Sequence, residues 1–218
     1  MKKTVILSVI LAVFLCISAK AQGSKETAVT GSQLDALTKA VVTAHQQLKT
    51  LQASFTQEKS STLFAENAVQ KGKLRYQAPS KLRWEYTSPK AMTLLFDDRK
   101  VSVVTEKGVL NNPNKMLNEL GSMIINTING SNLCDDKKFD IKFYKNSQDG
   151  SYTAKLKPLD KKIQASYSSI QVILNGKDYL AEKVILNESN GDVTTIIFSN
   201  KKVNQPIPAD NFKKKTCY

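Results

Sequence analysis

Residues 72–89 read GKLRYQAPSKLRWEYTSP. Leu74 and Tyr76 alternate with Lys73 and Arg75. After Ala78-Pro79-Ser80, Leu82, Trp84 and Tyr86 alternate with Lys81, Arg83 and Glu85. Successive side chains of a β-strand leave opposite faces of the sheet. The stretch therefore predicts two strands around one turn, with an aromatic, apolar face and a charged face. On this reading Arg75, Arg83 and Glu85 face water. Leu74, Tyr76, Leu82, Trp84 and Tyr86 share the concave side with Met92, Leu94 and Phe96 of the next strand. A curved sheet with one such face either packs a core against it or lines a pocket with it. Period alone leaves both open.

The same alternation recurs to the end of the chain. Strands are predicted over 54–58, 68–76, 81–86, 91–96 and 100–105, then at 139–143, 152–156, 170–174, 180–186 and 193–199. Turn residues bound them, including Asn175-Gly176 and Asn190-Gly191. Short strands joined by such turns predict an antiparallel meander. Two segments break the period. Thr30 and Gln33 have capping-box spacing, and Leu34, Leu37, Val41, Ala44, Leu48 and Leu51 then follow at three- and four-residue steps, which predicts an amphipathic helix of about five turns. In the middle of the meander, Met116, Leu117, Leu120, Met123, Ile124 and Ile128 recur at helical spacing between Pro113 and Gly130. This inserted helix is expected to cross an open end or a face of the sheet, as a lid or as a plain structural plug. Its methionines suit a surface that meets variable apolar partners.

The ends set the compartment. Lys2-Lys3, the apolar run 4–17 and Ala19-Lys20-Ala21 read as a cleavable secretory signal over 1–21. Residues 22–29 are small and polar and read as a flexible leader, with one domain over 30–218. Losing Lys2, Lys3 and Lys20 lowers the formal charge from +13 to +10. Such a surface favours anionic partners such as lipid headgroups or acidic proteins, or is simply a solvated lysine-rich face. Nucleic acid is not an expected partner outside the cytoplasm. Cys134 and Cys217 remain once Cys16 leaves. In an oxidising compartment they form one disulfide or stay as two thiols.

Catalytic chemistry has little to work with. The one histidine, His45, flanks the apolar stripe of the first helix and reads as a surface or boundary residue. No G-x-S-x-G, phosphate-binding glycine loop or dinucleotide fingerprint occurs. One His with two distant Cys is a poor supply of metal ligands. Asp97-Asp98 and Asp135-Asp136 fall at turns, where Asp is expected for local hydrogen bonding. The expectation is a non-enzyme with no cofactor and no metal. A long sheet with one apolar face and two amphipathic helices is most simply a container for an apolar ligand.

The order of several motifs resembles the periplasmic outer-membrane lipoprotein carrier (LolA) family. Leu51-Gln52-Ala53-Ser54-Phe55-Thr56-Gln57 is similar to its opening F-x-Q strand. Gly72-Lys73-Leu74 and Pro79…Arg83-Trp84-Glu85-Tyr86…Pro89 resemble its G-x-L…P…W…P pattern. Residues 97–101 resemble its D-G-K turn, Asn112-Pro113 its lid insertion, and 207–212 its closing P-x-x-x-F segment. Two positions depart. Ala78 stands where many carriers have an Arg that helps fasten the lid, and Leu82 stands where many have Phe.

The resemblance implies a mainly β (α+β) fold: an incomplete antiparallel barrel or strongly curved sheet, with an N-terminal helix and an inserted helical lid over an apolar cavity. It implies a soluble, monomeric periplasmic carrier that takes acylated lipoproteins from an inner-membrane lipoprotein-release transporter to an outer-membrane acceptor. The eight concave residues named above would hold acyl chains, with Met116, Leu117, Leu120, Met123 and Ile124 as the lid. A carrier of other lipids on the same fold, and a non-catalytic envelope sensor or assembly scaffold with a filled core, are the alternatives.

Overall fold

The computed structural model describes residues 26–61, 67–97, 100–111 and 115–214, with backbone alone over 115–120. In chain order it comprises β1 (Glu26–Ala28), α1 (Gly31–Gln46), β2 (Thr50–Ser60), β3 (Ala68–Gln77), β4 (Lys81–Ser88), β5 (Met92–Asp97), β6 (Lys100–Thr105) and β7 (Gly108–Asn111). Then come α2 (Lys115–Ile128), β8 (Phe139–Asn146), β9 (Tyr152–Pro158), α3 (Lys161–Gln164), β10 (Tyr167–Leu174), β11 (Ala181–Glu188) and β12 (Val193–Val203). All twelve strands form one antiparallel sheet, in the order β1-β8-β9-β10-β11-β12-β2-β3-β4-β5-β6-β7. Two meanders, β2–β7 and β8–β12, are thus sewn together where β12 pairs with β2. The end strands β1 and β7 do not pair, so the sheet is an unclosed barrel.

Side-chain contacts measure the curl. Five strand spacings separate β4 from β10, about 24 Å on a flat sheet. Yet Trp84 of β4 and Ile170 of β10 line the same cavity. The rings of Trp84 and Phe198, on strands three spacings apart, sit 6.2 Å apart. One glycine permits this packing. At Gly72 an added Cβ would lie 2.1 Å from the Glu85 carbonyl oxygen and 2.3 Å from the Phe55 ring. With no side chain there, the Phe55 ring stacks on Trp84 at 4.1 Å.

Because β7 and β8 lie at opposite ends of the sheet, the chain between them must cross it. That crossing is α2, which buries Ile125 and Ile128 in the concave core. Helix α1 covers the same side with Leu37, Val41 and His45.

Several expectations need correction. Helix α1 ends at Gln46, before Leu51. The Asn204 side chain stops it: Oδ1 accepts from the Lys49 and Thr50 amides at 2.7 and 3.3 Å, and Nδ2 donates to the Gln47 carbonyl. Thr30 makes no side-chain cap bond. Within the expected leader, Glu26–Ala28 forms an edge strand on β8. There the Glu26 carboxylate accepts from Thr153 and ion-pairs with Lys155 at 2.8 Å.

The largest correction concerns the charged face. Arg83 and Glu85 do not face water: they are 1% and 8% exposed. Thr93, Leu95, Ser102 and Val104, on the same outer side of β5 and β6, are buried as well. The chain beyond β12 covers them. Its short 3-10 turn, Ala209–Phe212, packs on β4. Lys214 reaches Asn111 of β7, whose side chain also accepts from Ser102. Only Arg75 of the three expected charges remains partly open, at 21% side-chain exposure.

Candidate functional site

The concave side holds two adjoining apolar spaces. The larger, about 40 Å³ and partly open, is walled by Trp84 on one side and by Ile170, Val184, Leu186 and Ile196 on the other, with Met123, Ile124 and Thr127 of α2 above. The smaller, about 10 Å³, lies among Leu51, Ala53, Leu74, Leu180 and Lys201. Ile128, Ala181 and Phe198 line both, so they form the wall between the two. Hydrocarbon makes up almost all of the lining.

The sequence-derived concave residues divide here. Leu74, Tyr76, Leu82, Trp84, Tyr86, Leu94 and Phe96 are all buried and Met92 is half-buried, on the side that parity assigns. Of the eight, Trp84 lines the larger space and Leu74 the smaller. The others pack the floor. Phe55, Trp84, Tyr86 and Phe198 form an aromatic cluster in which Tyr86 meets Phe55 edge-on at 5.5 Å. Burial pushes the Tyr86 phenol up, against weaker opposing effects of Trp84 and Gln57. Its hydroxyl donates to Gln57 Oε1 at 3.2 Å. Burial also raises the Tyr76 phenol, which donates to the Pro79 carbonyl at 3.2 Å.

Of the lid residues, Met123 and Ile124 face the larger space. Met116, Leu117 and Leu120 belong to α2, with side chains outside the described residues. Three contacts fasten the described part of the helix. At Gly121 the helix lies directly on the Phe96 ring, where an added Cβ would be 1.8 Å from Cε1. Buried Asn132 clamps the C-terminal turn, its Nδ2 donating to the Met123 carbonyl and to Thr127 Oγ1, each at 3.2 Å. Gly130, in the left-handed region at φ +76°, seats the helix end on the His45 ring.

His45 is therefore a core residue, 6% exposed, and not a boundary one. Its Nδ1 lies 2.8 Å from the Val41 carbonyl. A carbonyl only accepts, so Nδ1 carries the proton. Burial lowers the imidazole pKa; the Val41 hydrogen bond and Asp178 oppose it. Cys134 is exposed after the 3-10 turn Ser131–Leu133, and Cys217 lies outside the described residues.

Sequence reasoning missed the far wall, from β10, β11 and β12. Its parity was visible in Ile170-Val172-Leu174 and in Val184-Leu186, but parity does not say which strands face each other across a curl. It also missed Lys201, whose position depends on an irregularity in β12.

A sequence model of the outer membrane lipoprotein carrier protein LolA family matches residues 46–215. The outer-membrane lipoprotein carrier protein of Xanthomonas oryzae pv. oryzae (strain MAFF 311018) is 29% identical over 174 residues, covering 76% of this chain and 78% of that protein. Among solved structures, MucB superposes with a TM-score of 0.51 at 13% identity, over 84% of this chain and 63% of that one. The LolA superfamily protein NE2245 from Nitrosomonas europaea superposes at 0.43 and 9% identity, over 81% and 97%. The MucB likeness is one of fold alone.

Proposed function

The chain belongs to the outer membrane lipoprotein carrier (LolA) family, and from that premise we propose that it carries acyl chains of lipoproteins through the periplasm, from an inner-membrane release transporter to an outer-membrane acceptor. One observation carries the reading: a hydrocarbon-lined space lies under a helix whose hold on the sheet is mostly apolar contact. Each CH₂ moved from water into such a space contributes about 0.8 kcal/mol, so a long chain supplies affinity without a specific hydrogen bond. As it stands the larger space has only about 40 Å³ free, well below the roughly 300–1,000 Å³ of small-molecule sites, so a chain enters only if its wall opens. A cargo with several chains requires α2 to lift, which makes the helix the gate. The signal at 1–21 directs the protein to the periplasm on this reading. No step needs catalysis, and the leading cavity residues are Trp84, Leu74, Met123, Ile124, Ile128 and Phe198.

The test fills the space. Ala181 lines both compartments, so Ala181→Leu places a branched side chain between them. Acyl-chain affinity should fall at least about tenfold while the urea midpoint holds or rises, because a void is removed. Unchanged affinity would show that ligand does not enter here. Mass spectrometry of what co-purifies from a native periplasm then identifies the cargo.

A further inference from the structure

Among the described residues, two buried side-chain polar atoms have no hydrogen-bond partner: Trp84 Nε1 and Lys201 Nζ. Trp84 lines the larger space, Lys201 the smaller, and Phe198 stands between them as part of both linings. Buried polar groups are nearly always satisfied, so each exception calls for an explanation. Both exceptions here are donors.

Lys201 reaches this position through a defect in the strand. Ile196 and Phe198 point inward, so strict alternation would send residue 201 outward. The pairing of β12 with β2 slips between Ser199 and Lys202, and Asn200 takes a positive φ of 53°. Two residues, Asn200 and Lys201, thus stand opposite Ala53 alone. Such a bulge re-aims one side chain, and bulges gather beside functional sites. It leaves the Lys201 side chain 15% exposed.

The charge of Lys201 is already answered. Asp178 and Glu182 approach its Nζ at 3.5 and 4.0 Å. Each carboxylate has its own hydrogen-bond donor, from the Leu180 amide and from Asn175. What the ammonium lacks is a hydrogen bond of good geometry, not a counter-charge. The indole is in a similar position: the Tyr86 oxygen lies near enough for Trp84 to lower that phenol's pKa, yet Nε1 makes no hydrogen bond of proper geometry to it.

We propose that these two donors bind acyl carbonyls, so that the site selects chains joined through an ester or amide linkage over chains of equal length without a carbonyl. The proposal rests on the acyl-binding reading above and adds to it the group that is recognised. A neutral carbonyl satisfies an indole N–H and an ion-paired ammonium without placing a further negative charge beside Asp178 and Glu182.

The experiment compares 1-palmitoylglycerol with its ether analogue 1-O-hexadecylglycerol, which differ by one carbonyl. Trp84 is the single tryptophan of the chain, so one indole N–H resonance in a nitrogen-proton correlation spectrum reports directly on this donor. The ester should bind about tenfold more tightly than the ether, the effect expected of one hydrogen bond to a charged or buried donor. It should also move the indole proton downfield where the ether does not. In Lys201→Met the ester-to-ether ratio should shrink, and in Lys201→Arg, which keeps donors, it should persist. Equal affinities, with an indole proton that responds to both ligands alike, would overturn carbonyl recognition and leave the container intact. Palmitate binding far more tightly than either, through Lys201, would replace it with an anionic headgroup. Failure of all three to bind would overturn the acyl-binding reading itself. Should the Lys201 variants fail to fold, the wild-type ratio and the indole shift still decide.

Discussion

Strand β4 is buried on both sides, and its two sides are built by opposite rules. Toward the concavity it sends Leu82, Trp84 and Tyr86, which are buried and largely apolar; Trp84 lines the larger space and carries a donor with no hydrogen bond. Toward the outside it sends Arg83 and Glu85, charged and tightly paired. The Glu85 carboxylate takes Arg83 Nε at 3.0 Å and Arg75 at 2.9 Å, and Arg83 also donates to Thr93. One side leaves room and an unmet hydrogen bond, as a binding site does. The other is closed by the C-terminal segment and, among the described residues, leaves no buried side-chain polar atom unmet. Stability and function are thereby assigned to alternate residues of one strand.

The sharpest way to break this contrast is Arg83→Met. The change removes the more buried of the two arginine partners of a carboxylate that is 8% exposed; because Arg75 remains, it should cost about 1.5–3 kcal/mol in urea unfolding, the range for losing a hydrogen bond to a charged group. Adding Glu85→Leu should restore most of the loss, since a buried pair exchanged for apolar groups is often neutral. Acyl binding, followed through Trp84 fluorescence, should survive in whatever fraction folds. A single variant as stable as the wild type would mean that the outer network is solvated after all. The pair also has a pH signature. Burial raises the Glu85 carboxyl, but Arg83 and Arg75 outweigh it and hold the group below its ordinary value of 4.5. Its contribution is therefore present above that value and lost as pH falls through the lower folded one.

A smaller effect is expected at the lid. Gly121→Ala drives a methyl group into the Phe96 ring, itself 5% exposed. Overpacking of this kind costs about 1–3 kcal/mol. If α2 is the gate proposed above, the cost should appear as local opening. Amides of residues 124–128 should exchange faster while those of β4 keep their protection. Pairing the change with Phe96→Leu should reverse it. If protection in β4 falls in step, α2 belongs to one cooperative core with the sheet and is no gate.

What the sequence made legible follows from range. Parity along β3, β4 and β5 placed eight residues on the correct face because alternation is a property of the strand itself. The helical spacing of Met123, Ile124 and Ile128 likewise announced α2. Arg83 and Glu85 were misread because their cover, residues 209–214, lies some hundred residues downstream, and nothing in β4 declares it. Mixed charges at alternate positions look the same whether they face water or each other beneath a strap. The far wall of the cavity was hidden because curvature decides which strands meet. Lys201 was hidden because one bulge reverses the parity that made the rest readable.

The subtlest test separates the two sides by acidity, at His45. Its imidazole is buried and held below its ordinary value of 6.5, chiefly by that burial. It lies under Gly130, where α2 ends. Nδ1–H donates to the Val41 carbonyl, so protonation adds a charge at Nε2 inside the core; Asp178 offsets this weakly. The sign follows from linkage. Between the folded and unfolded pKa values the unfolded state binds more protons, so stability falls as pH drops below about 6.5 and levels off beneath the lower folded value. The lid end should feel this before Glu85 titrates. After correction for intrinsic rates, exchange of the Asn129 and Gly130 amides, which close the helix onto Ile125 and Thr127, should rise across that window. The amides of Arg83 and Glu85 should stay protected until carboxylates protonate. His45→Phe keeps a ring under Gly130 and removes the titration, so the early rise should vanish. A rise that persists in His45→Phe, or a shared midpoint at both sides of the sheet, would show that acid opens the molecule as one unit.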